Sequence, residues 1–179
     1  GSWGTALAYI VHQNGYRVSL WGRNPEQMER LKQIRENQTY LPGILLSPEI
    51  IIDSDYAIGA DAELVILAVP ARAVAEVTKS AAPYIRPDAI IVNVAKGFAP
   101  DNQQRLSQLI SSLLPGRPVL TLSGPSHAEE AVRNLPTTVV IAGDDLSLLQ
   151  KVQDVLMSES FRVYPNTDQI GVEVGGAVK

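Results

Sequence analysis

Two lysines lie at positions where a positively charged group can act on a bound molecule. Lys96 follows the apolar run 90–94 and precedes a glycine, and Lys179 follows the glycine-rich run 174–178. An ammonium group can hold a phosphate or polarise a carbonyl, and a lysine whose pKa is lowered can accept a proton from a hydroxyl group. A single lysine is more often a solvated surface residue, so both positions need support from the rest of the sequence.

The chain opens with a turn that resembles part of a phosphate-binding site. Gly1-Ser2-Trp3-Gly4 precedes a helical pattern and matches the second and third glycines of the dinucleotide fingerprint G-x-G-x-x-G. In such a turn the pyrophosphate lies on the free N–H groups at the start of the helix. Trp3 would then pack beside the nucleotide. The alternative interpretation is a cloning remnant followed by a helix cap.

Arg23 occupies the position that meets the adenosine ribose in dinucleotide-binding folds. It follows the strand-like segment 17–21 and lies 19 residues after Gly4, close to the usual spacing of about 20. An acidic residue there favours NAD because it binds the 2′-hydroxyl, whereas arginine suits a 2′-phosphate or stacks on adenine. The structural alternative is a solvated arginine just before the helix cap at Asn24.

The segment 123–130 joins a strand end to a helix start. Ser126 and Glu129 form an S-x-x-E capping box, which explains both residues structurally, although a capped helix start also presents N–H groups to an anion. His127 is interpreted as a first-turn helix residue rather than a base. Glu173, near the last glycines, is interpreted as a solvated carboxylate.

The elements that must position these residues alternate along the chain. Helices are predicted over 5–13, 24–37, 74–85, 101–114, 127–133 and 146–157. Strands are predicted over 17–21, 49–52, 64–69, 90–94, 119–123, 137–142 and 161–164. An Asp101–Gln104 capping pair is predicted to start the fourth helix, and the apolar strand 64–69 is predicted to be buried on both faces. This alternation predicts an α/β fold of Rossmann type, a doubly wound, mostly parallel sheet with helices on both faces.

Composition restricts the class of protein. Of the 179 residues, 45% are hydrophobic and 19% are charged, which suits a packed domain. The net charge of −4 argues against a partner nucleic acid, and no apolar run reaches the ~18 residues of a membrane helix. The chain has no cysteine, and no cluster of histidines and carboxylates has metal-ligand spacing, so no metal is expected.

Six short motifs follow one another along the chain. They are GSWGTAL, LWGRNPE, AVP, AKG, SGPSHAEE and VGGAVK, and they span residues 1 to 179. In this order they resemble bacterial NAD(P)-dependent glycerol-3-phosphate dehydrogenase. The resemblance implies a cytoplasmic oxidoreductase that interconverts sn-glycerol 3-phosphate and dihydroxyacetone phosphate by hydride transfer, for glycerophospholipid synthesis. It implies NAD or NADP as cofactor and allows a homodimer for the full-length protein. Arg23 adds the expectation that NADPH is accepted, and the lack of a long apolar run adds the expectation of no membrane insertion.

The resemblance also implies roles for individual residues. Lys179, in the motif V-G-G-A-x-K, is the expected proton acceptor, and Lys96 is the second expected catalytic residue because it contacts both cofactor and glycerol phosphate. The expected cofactor-binding residues are Gly1, Ser2, Trp3, Gly4, Arg23, Lys96 and Ala128. The expected substrate-binding residues are Lys96, Gly124, Ser126 and Lys179.

Compared with the full length of the family's proteins, the chain resembles an internal fragment. We expect residues 1–167 to form the NAD(P)-binding domain, with its first strand missing, and residues 168–179 to begin a helical substrate domain. The fragment alone is expected to be inactive. Two other functions stay open: another NAD(P)-dependent hydroxy-acid dehydrogenase, and a nucleotide-binding redox sensor without turnover. The sensor would not need Lys96 and Lys179 together.

Overall fold

The computed structural model describes residues 1–125 and 127–178 and confirms an α/β architecture. Its α-helices are α1 (Ser2–Gln13), α2 (Pro25–Ile34), α3 (Val74–Ala81), α4 (Leu106–Leu113), α5 (Ala128–Val132), α6 (Leu146–Leu156) and α7 (Gln169–Ala177). Its strands are β1 (Ser19–Trp21), β2 (Ile51–Asp53), β3 (Leu64–Leu67), β4 (Ile90–Asn93), β5 (Val119–Ser123), β6 (Thr137–Ala142) and β7 (Phe161–Asn166). Among these residues, no helix has the length and apolar character needed to cross a bilayer.

The strands form two sheets. β1 pairs with β2, and the other five strands form a sheet in the order β3-β4-β5-β6-β7. Every pair is parallel except β5 with β6, which is antiparallel. The mostly parallel sheet is therefore confirmed, and the helices that connect its strands cover both faces.

Adjacent residues of β4 show how the two faces are filled. Ile91 and Val92 point to opposite faces because side chains alternate along a strand. Ile91 packs with buried residues of α3 and α4, including Val74 and Ile110. Val92 packs in a second cluster with residues of α1 and α6, including Leu7. The sheet is thus the middle layer between two sets of helices.

Strand β3 departs from the expected burial. Of its four residues only Leu67 is buried, at 4% exposure, whereas Leu64, Val65 and Ile66 are half-buried. The prediction of burial on both faces is wrong for them because β3 is an edge strand: within the described residues, only β4 pairs with it. The strand expected to precede the glycine turn stays a prediction.

Helix α2 begins where its local sequence predicts. The Asn24 Oδ1 atom accepts a hydrogen bond from the Gln27 N–H at 3.1 Å, and proline occupies the first helical position. The helix ends at Ile34, three residues before the predicted end at 37, because Arg35 adopts a left-handed conformation with φ 56°. The Arg35 guanidinium also donates to the Ile50 carbonyl at 2.8 Å, a long-range contact that the local pattern does not contain.

Helix α4 begins five residues later than predicted, at Leu106. The Asp101–Gln104 capping pair is wrong: Gln103 is left-handed with φ 55°, and the Gln104 N–H donates to the Asn102 side chain at 3.0 Å. The Ser107 N–H, in the first turn of the helix, donates instead to a carboxylate oxygen of Glu173 at 2.8 Å. A residue 66 positions away therefore satisfies this helix start.

Helix α7 carries the glycine-rich motif and starts before it. The Asp168 carboxylate accepts a hydrogen bond from the Gly171 N–H at 2.8 Å, which caps the helix. The helix packs against β5 and β6 of the large sheet. The predicted boundary between 167 and 168 stays a prediction, because packing on the sheet does not assign the helix to either domain.

Candidate functional site

A cavity of about 470 Å³ lies where three parallel strands end. Its walls come from the start of α1 and from the segments 68–70, 94–96 and 122–123, which end or follow β3, β4 and β5. Residues 127–129 at the start of α5 and Val139 of β6 also line it. In open α/β sheets, ligands bind at the carboxyl ends of the strands, so this cavity is the expected position of a nucleotide.

The glycine turn lies on the wall of this cavity. Gly1, Ser2, Trp3 and Gly4 all line it, and α1 starts at Ser2. A Cβ atom at Gly4 would lie 3.3 Å from the Cβ of Ala68, so glycine permits the close packing of helix on strand that the third fingerprint glycine provides. The free N–H groups of the first turn of α1 can therefore meet an anion in the cavity.

Lys96 is held beside the cavity by two neighbouring segments. The buried side chain of Asn93 accepts from the Ala95 N–H at 3.1 Å and donates to the Ala95 carbonyl at 3.2 Å, which fixes the turn after β4. The Lys96 Nζ atom donates to the Gly124 carbonyl at 3.2 Å. The structure thus brings together two of the residues predicted to contact substrate.

A second cavity of about 240 Å³ lies next to the first. Lys96 and Ser123 line both cavities, and Gly124 lines the second. Its opposite wall is helix α7, through Gly175 and Gly176 among others. A Cβ atom at Gly176 would collide with the Ser123 hydroxyl oxygen, so glycine is what allows α7 to approach the end of β5 this closely.

Replacing Gly124 with alanine is expected to destabilise the fold where the end of β5 packs against β6. The new Cβ atom would lie 2.8 Å from the Thr138 carbonyl oxygen and 3.0 Å from the Val139 Cα. Both are backbone atoms, so relief requires a shift of β6. Such overpacking costs about 1–3 kcal/mol, which lowers the melting temperature by several degrees in thermal unfolding. Gly59→Ala is the control because nothing lies within 4 Å of its added Cβ; equal melting temperatures for both variants would contradict the prediction.

Arg23 is not part of either cavity wall. It follows β1, its side chain is 73% exposed, and its Nη1 atom lies 4.0 Å from a carboxylate oxygen of Glu76 on α3. Neither set of lining residues includes it. Its expected contact with the adenosine end of a nucleotide stays a prediction.

The start of α5 faces the first cavity. Ala128 is its first residue, is buried and lines the cavity, as does His127, which is the N-cap. Glu129 consequently lies at the second helical position, and the predicted capping box involves Ser126, which lies outside the described residues. Among the described residues, no three of histidine, aspartate and glutamate lie close enough to hold a metal ion.

Comparison with known proteins assigns this arrangement to a family. The family model for the N-terminus of NAD-dependent glycerol-3-phosphate dehydrogenase matches residues 1–149. The chain belongs to this family. It is 46% identical over its whole length to glycerol-3-phosphate dehydrogenase (NAD(P)+) of Desulfitobacterium hafniense and 48% identical to that of Moorella thermoacetica. It covers 51% and 53% of these two proteins, so the chain spans about half the length of the curated relatives it matches.

A solved structure from the same family confirms the fold. The crystal structure of glycerol-3-phosphate dehydrogenase from Coxiella burnetii aligns with 98% of the chain, at 32% identity and a TM-score of 0.94. The alignment covers 54% of that protein. Family membership, predicted from the six motifs, and the Rossmann-type fold, predicted from the alternation of strands and helices, are therefore confirmed, whereas the roles of single residues stay predictions.

Two predicted site residues lie outside the described part of the chain. These are Ser126, expected to bind substrate, and Lys179, expected to be the base. The described residues bring Gly1, Ser2, Trp3, Gly4, Lys96 and Ala128 to the first cavity, and Lys96 and Gly124 to the second.

Glu173 is the residue that the sequence interpretation placed wrongly. It is not solvated: only 4% of the residue is exposed, and its carboxylate is bonded to Arg105 and Ser107 at the start of α4. No local pattern in the sequence shows this burial, and the reason appears only once the full extent of α7 is known. Glu173 lies four residues after Gln169, so once α7 is extended back to residue 169 the two share a helix face, and Gln169 donates to the Val119 carbonyl of β5 at 2.8 Å.

Proposed function

We propose that the chain is the NAD(P)-binding part of an enzyme that interconverts sn-glycerol 3-phosphate and dihydroxyacetone phosphate. The observation that carries the proposal is the position of Lys96, an ammonium group on the wall shared by two adjacent cavities. A dinucleotide in the larger cavity and a small phosphate-bearing alcohol in the smaller one would meet at that side chain. The names of the relatives, which are glycerol-3-phosphate dehydrogenases, support this choice of substrate.

The residues of the larger cavity suit NAD or NADP. Its volume of about 470 Å³ is within the usual range of ligand pockets, roughly 300–1,000 Å³. The first turn of α1 offers N–H groups and the positive end of a helix dipole to a pyrophosphate. Ala128 is expected to lie at the nicotinamide end, where a small side chain leaves room for the ring. When bound, the nicotinamide supplies the hydride acceptor for the alcohol.

The two lysines would divide the remaining chemistry. Lys96 neutralises the substrate phosphate or polarises the carbonyl that forms, while its bond to Gly124 keeps it at the shared wall. Ser126 and Gly124 bind substrate beside it. Lys179 takes the hydroxyl proton as hydride leaves the carbon, which is the role its motif has in the family.

The setting of the reaction is also a proposal. We infer that the enzyme is cytoplasmic and supplies the backbone for glycerophospholipid synthesis, as the family resemblance implies. Residues 168–179 begin a helical substrate domain in the full-length protein, and that domain closes over the smaller cavity. The full-length protein can form a homodimer.

The direct test uses the full-length protein. Reduced nicotinamide, measured by its absorbance, is expected to accumulate with sn-glycerol 3-phosphate and NAD or NADP. A panel of 2-hydroxy acids at the same concentration is expected to produce little reduced nicotinamide. Turnover with a hydroxy acid but not with glycerol 3-phosphate would favour the other dehydrogenase. Nucleotide binding without turnover on any substrate would favour the redox sensor.

Arg23→Asp in the full-length enzyme is expected to weaken binding of NADPH more than that of NADH. The charge reversal removes a guanidinium that can bind the 2′-phosphate and adds a repulsive carboxylate. The difference is expected to be about 1–3 kcal/mol at low salt, at the lower end because an exposed side chain is screened by solvent. Dissociation constants for both cofactors measure it.

Arg17→Asp is the matched control for this change. Arg17 is exposed, precedes β1 and lines neither cavity. Arg17→Asp therefore changes the net charge by the same amount as Arg23→Asp but removes no proposed contact with the cofactor. Equal losses for both cofactors at Arg23 would mean that the guanidinium stacks on adenine or stays in solvent.

A further inference from the structure

A buried carboxylate joins helix α7 to the start of helix α4. The side chain of Glu173 is only 2% exposed. Its Oε1 atom accepts from the Ser107 N–H at 2.8 Å, and its Oε2 atom accepts from the Ser107 hydroxyl at 2.6 Å and from the Arg105 guanidinium at 3.1 Å. Both oxygens are therefore used, and every partner belongs to the first turn of α4 or its N-cap.

Stability alone does not explain this choice of residue. Burying a charged pair costs much of the electrostatic energy that it returns, and apolar side chains of similar volume often stabilise a fold as well or better. The positive end of the α4 dipole lowers that cost. The carboxylate adds interactions with defined geometry. Its three hydrogen bonds to two oxygens fix both the rotation and the translation of α7 relative to α4, whereas a leucine contact would allow a wider range of positions.

Helix α7 depends on outside contacts for its position. It contains Gly171, Gly175 and Gly176 within nine residues, and glycine is among the poorest helix formers. Another side-chain anchor of α7 to the rest of the fold lies at its first turn, where Gln169 donates to the Val119 carbonyl and the Thr121 hydroxyl of β5. Of the anchors in the described chain, Glu173 is the one nearest to the glycine pair.

The part of α7 that Glu173 anchors is the wall of the smaller cavity. Gly175 and Gly176 line that cavity, and Gly176 lies directly against the Ser123 hydroxyl. Lys179 follows Glu173 by six positions in the sequence. A shift of α7 would therefore change the shape of the substrate cavity and the path of the chain toward the proposed base.

We propose that Glu173 is a positioning residue for the reaction, acting through helix α7 on the smaller cavity and on Lys179. This inference rests on the proposed function, in which the smaller cavity holds glycerol 3-phosphate and Lys179 is the base. Glu173 itself does not touch the substrate. Its carboxylate sets the position of α7 relative to α4 through its bonds to Arg105 and Ser107 at the start of α4.

The test compares Glu173→Gln and Glu173→Leu with wild type in the full-length enzyme. Glu173→Leu is expected to lower kcat by about 10- to 100-fold, as expected for reacting groups displaced by about 1 Å, with the KM for the cofactor changed less than about 2-fold. Glu173→Gln keeps the shape and one acceptor oxygen, so its loss is expected to be smaller. Hydrogen exchange of the amides in 171–177 is expected to accelerate in both variants.

Gln153→Met is the matched control. The Gln153 side chain donates to the Val163 carbonyl at 2.6 Å and so joins α6 to β7, an inter-element bond of the same kind that lies on neither cavity wall. It is expected to lower the melting temperature without changing kcat at a temperature where all variants are folded. If the Glu173 variants lose no more kcat than Gln153→Met, or if exchange in α7 does not accelerate, the inference is overturned.

The exchange measurement separates failure of this inference from failure of the proposed function. It needs no substrate, so it reports whether Glu173 anchors α7 even if the wild-type enzyme does not turn over glycerol 3-phosphate. Wild-type inactivity with that substrate overturns the proposed function. Normal wild-type turnover with unchanged α7 exchange in Glu173→Leu overturns only the role of Glu173.

Discussion

Lys179→Ala in the full-length enzyme is expected to lower kcat by ~100-fold or more, typical of the loss of a general base. Oxidation of a secondary alcohol needs an acceptor for the hydroxyl proton while hydride leaves the carbon. A lysine serves only if burial or a neighbouring cation lowers its pKa toward ~7–8. Lys96 and the positive ring of the oxidised nicotinamide are the expected neighbouring charges. Closure of the second domain would add burial, which acts in the same direction.

The measurement is kcat as a function of pH, together with the dissociation constant of the cofactor. Cofactor binding is expected to change little, because Lys179 follows the helix that lines the smaller cavity and not the larger one. Lys151→Ala, which removes an exposed lysine of α6, is the control for a lost charge. If Lys179→Ala kept a near-normal kcat and pH profile, another residue would have to be the base. His127 would be the first candidate because it lines the larger cavity.

The same reasoning predicts that residues 1–179 alone show no turnover. On the proposed domain boundary, Lys179 lies at a junction of two domains and is expected to reach the substrate only when they close. Nucleotide binding by this segment without turnover is therefore expected, and turnover by the segment would mean that the second domain contributes nothing essential to the chemistry.

The fold was most predictable where local sequence determines structure. Strands β5 and β6 have the predicted bounds, Val119–Ser123 and Thr137–Ala142, because each is a short β-branched and apolar run between turn residues. The start of α2 was correct because its cap is contained within four residues, from Asn24 to Gln27. In both cases the interactions that set the boundary are local in sequence.

The boundaries and burial that were predicted wrongly depend on interactions that are distant in sequence. Helix α4 starts at residue 106 because a carboxylate at residue 173 bonds its first turn, and α2 ends at residue 34, followed by Arg35, whose side chain bonds the carbonyl of Ile50. The burial of Glu173 has the same long-range cause. No local pattern of hydrophobic or capping residues records a partner more than ten positions away, so these features needed the structure.

The candidate site was predictable to a different extent. Strand-end position together with the A-K-G motif indicates Lys96, and the structure places it on the wall of both cavities. The family resemblance names both Lys96 and Gly124 as site residues, but their hydrogen bond joins residues 28 positions apart, and no local pattern in the sequence indicates it. Arg23 was placed correctly after β1, but the distance of an exposed side chain from a nucleotide cannot be read from spacing.

Lys96→Ala in the full-length enzyme is expected to raise the KM for glycerol 3-phosphate and to lower kcat, each by about 10-fold. A charge-assisted hydrogen bond contributes about 1.5–3 kcal/mol. An ammonium that holds a phosphate acts in the ground state, and one that polarises the forming carbonyl acts mainly in the transition state. Because Lys96 lies on the shared wall of both cavities, one substitution removes both effects. Steady-state kinetics with each substrate varied in turn measure the two constants.

Lys96→Arg separates charge from shape at this position. It keeps the positive charge, so it is expected to recover substrate KM more fully than kcat, since the larger guanidinium cannot occupy the same point relative to the Gly124 carbonyl. Lys79→Ala, at an exposed position of α3, controls for net charge and is expected to match wild type. The two lysines then differ in their kinetic pattern: loss of Lys96 changes KM and kcat, and loss of Lys179 changes kcat with cofactor binding retained. If Lys96→Ala changed only cofactor binding, the ammonium would serve the nucleotide alone, and the smaller cavity would need another cation for the substrate phosphate.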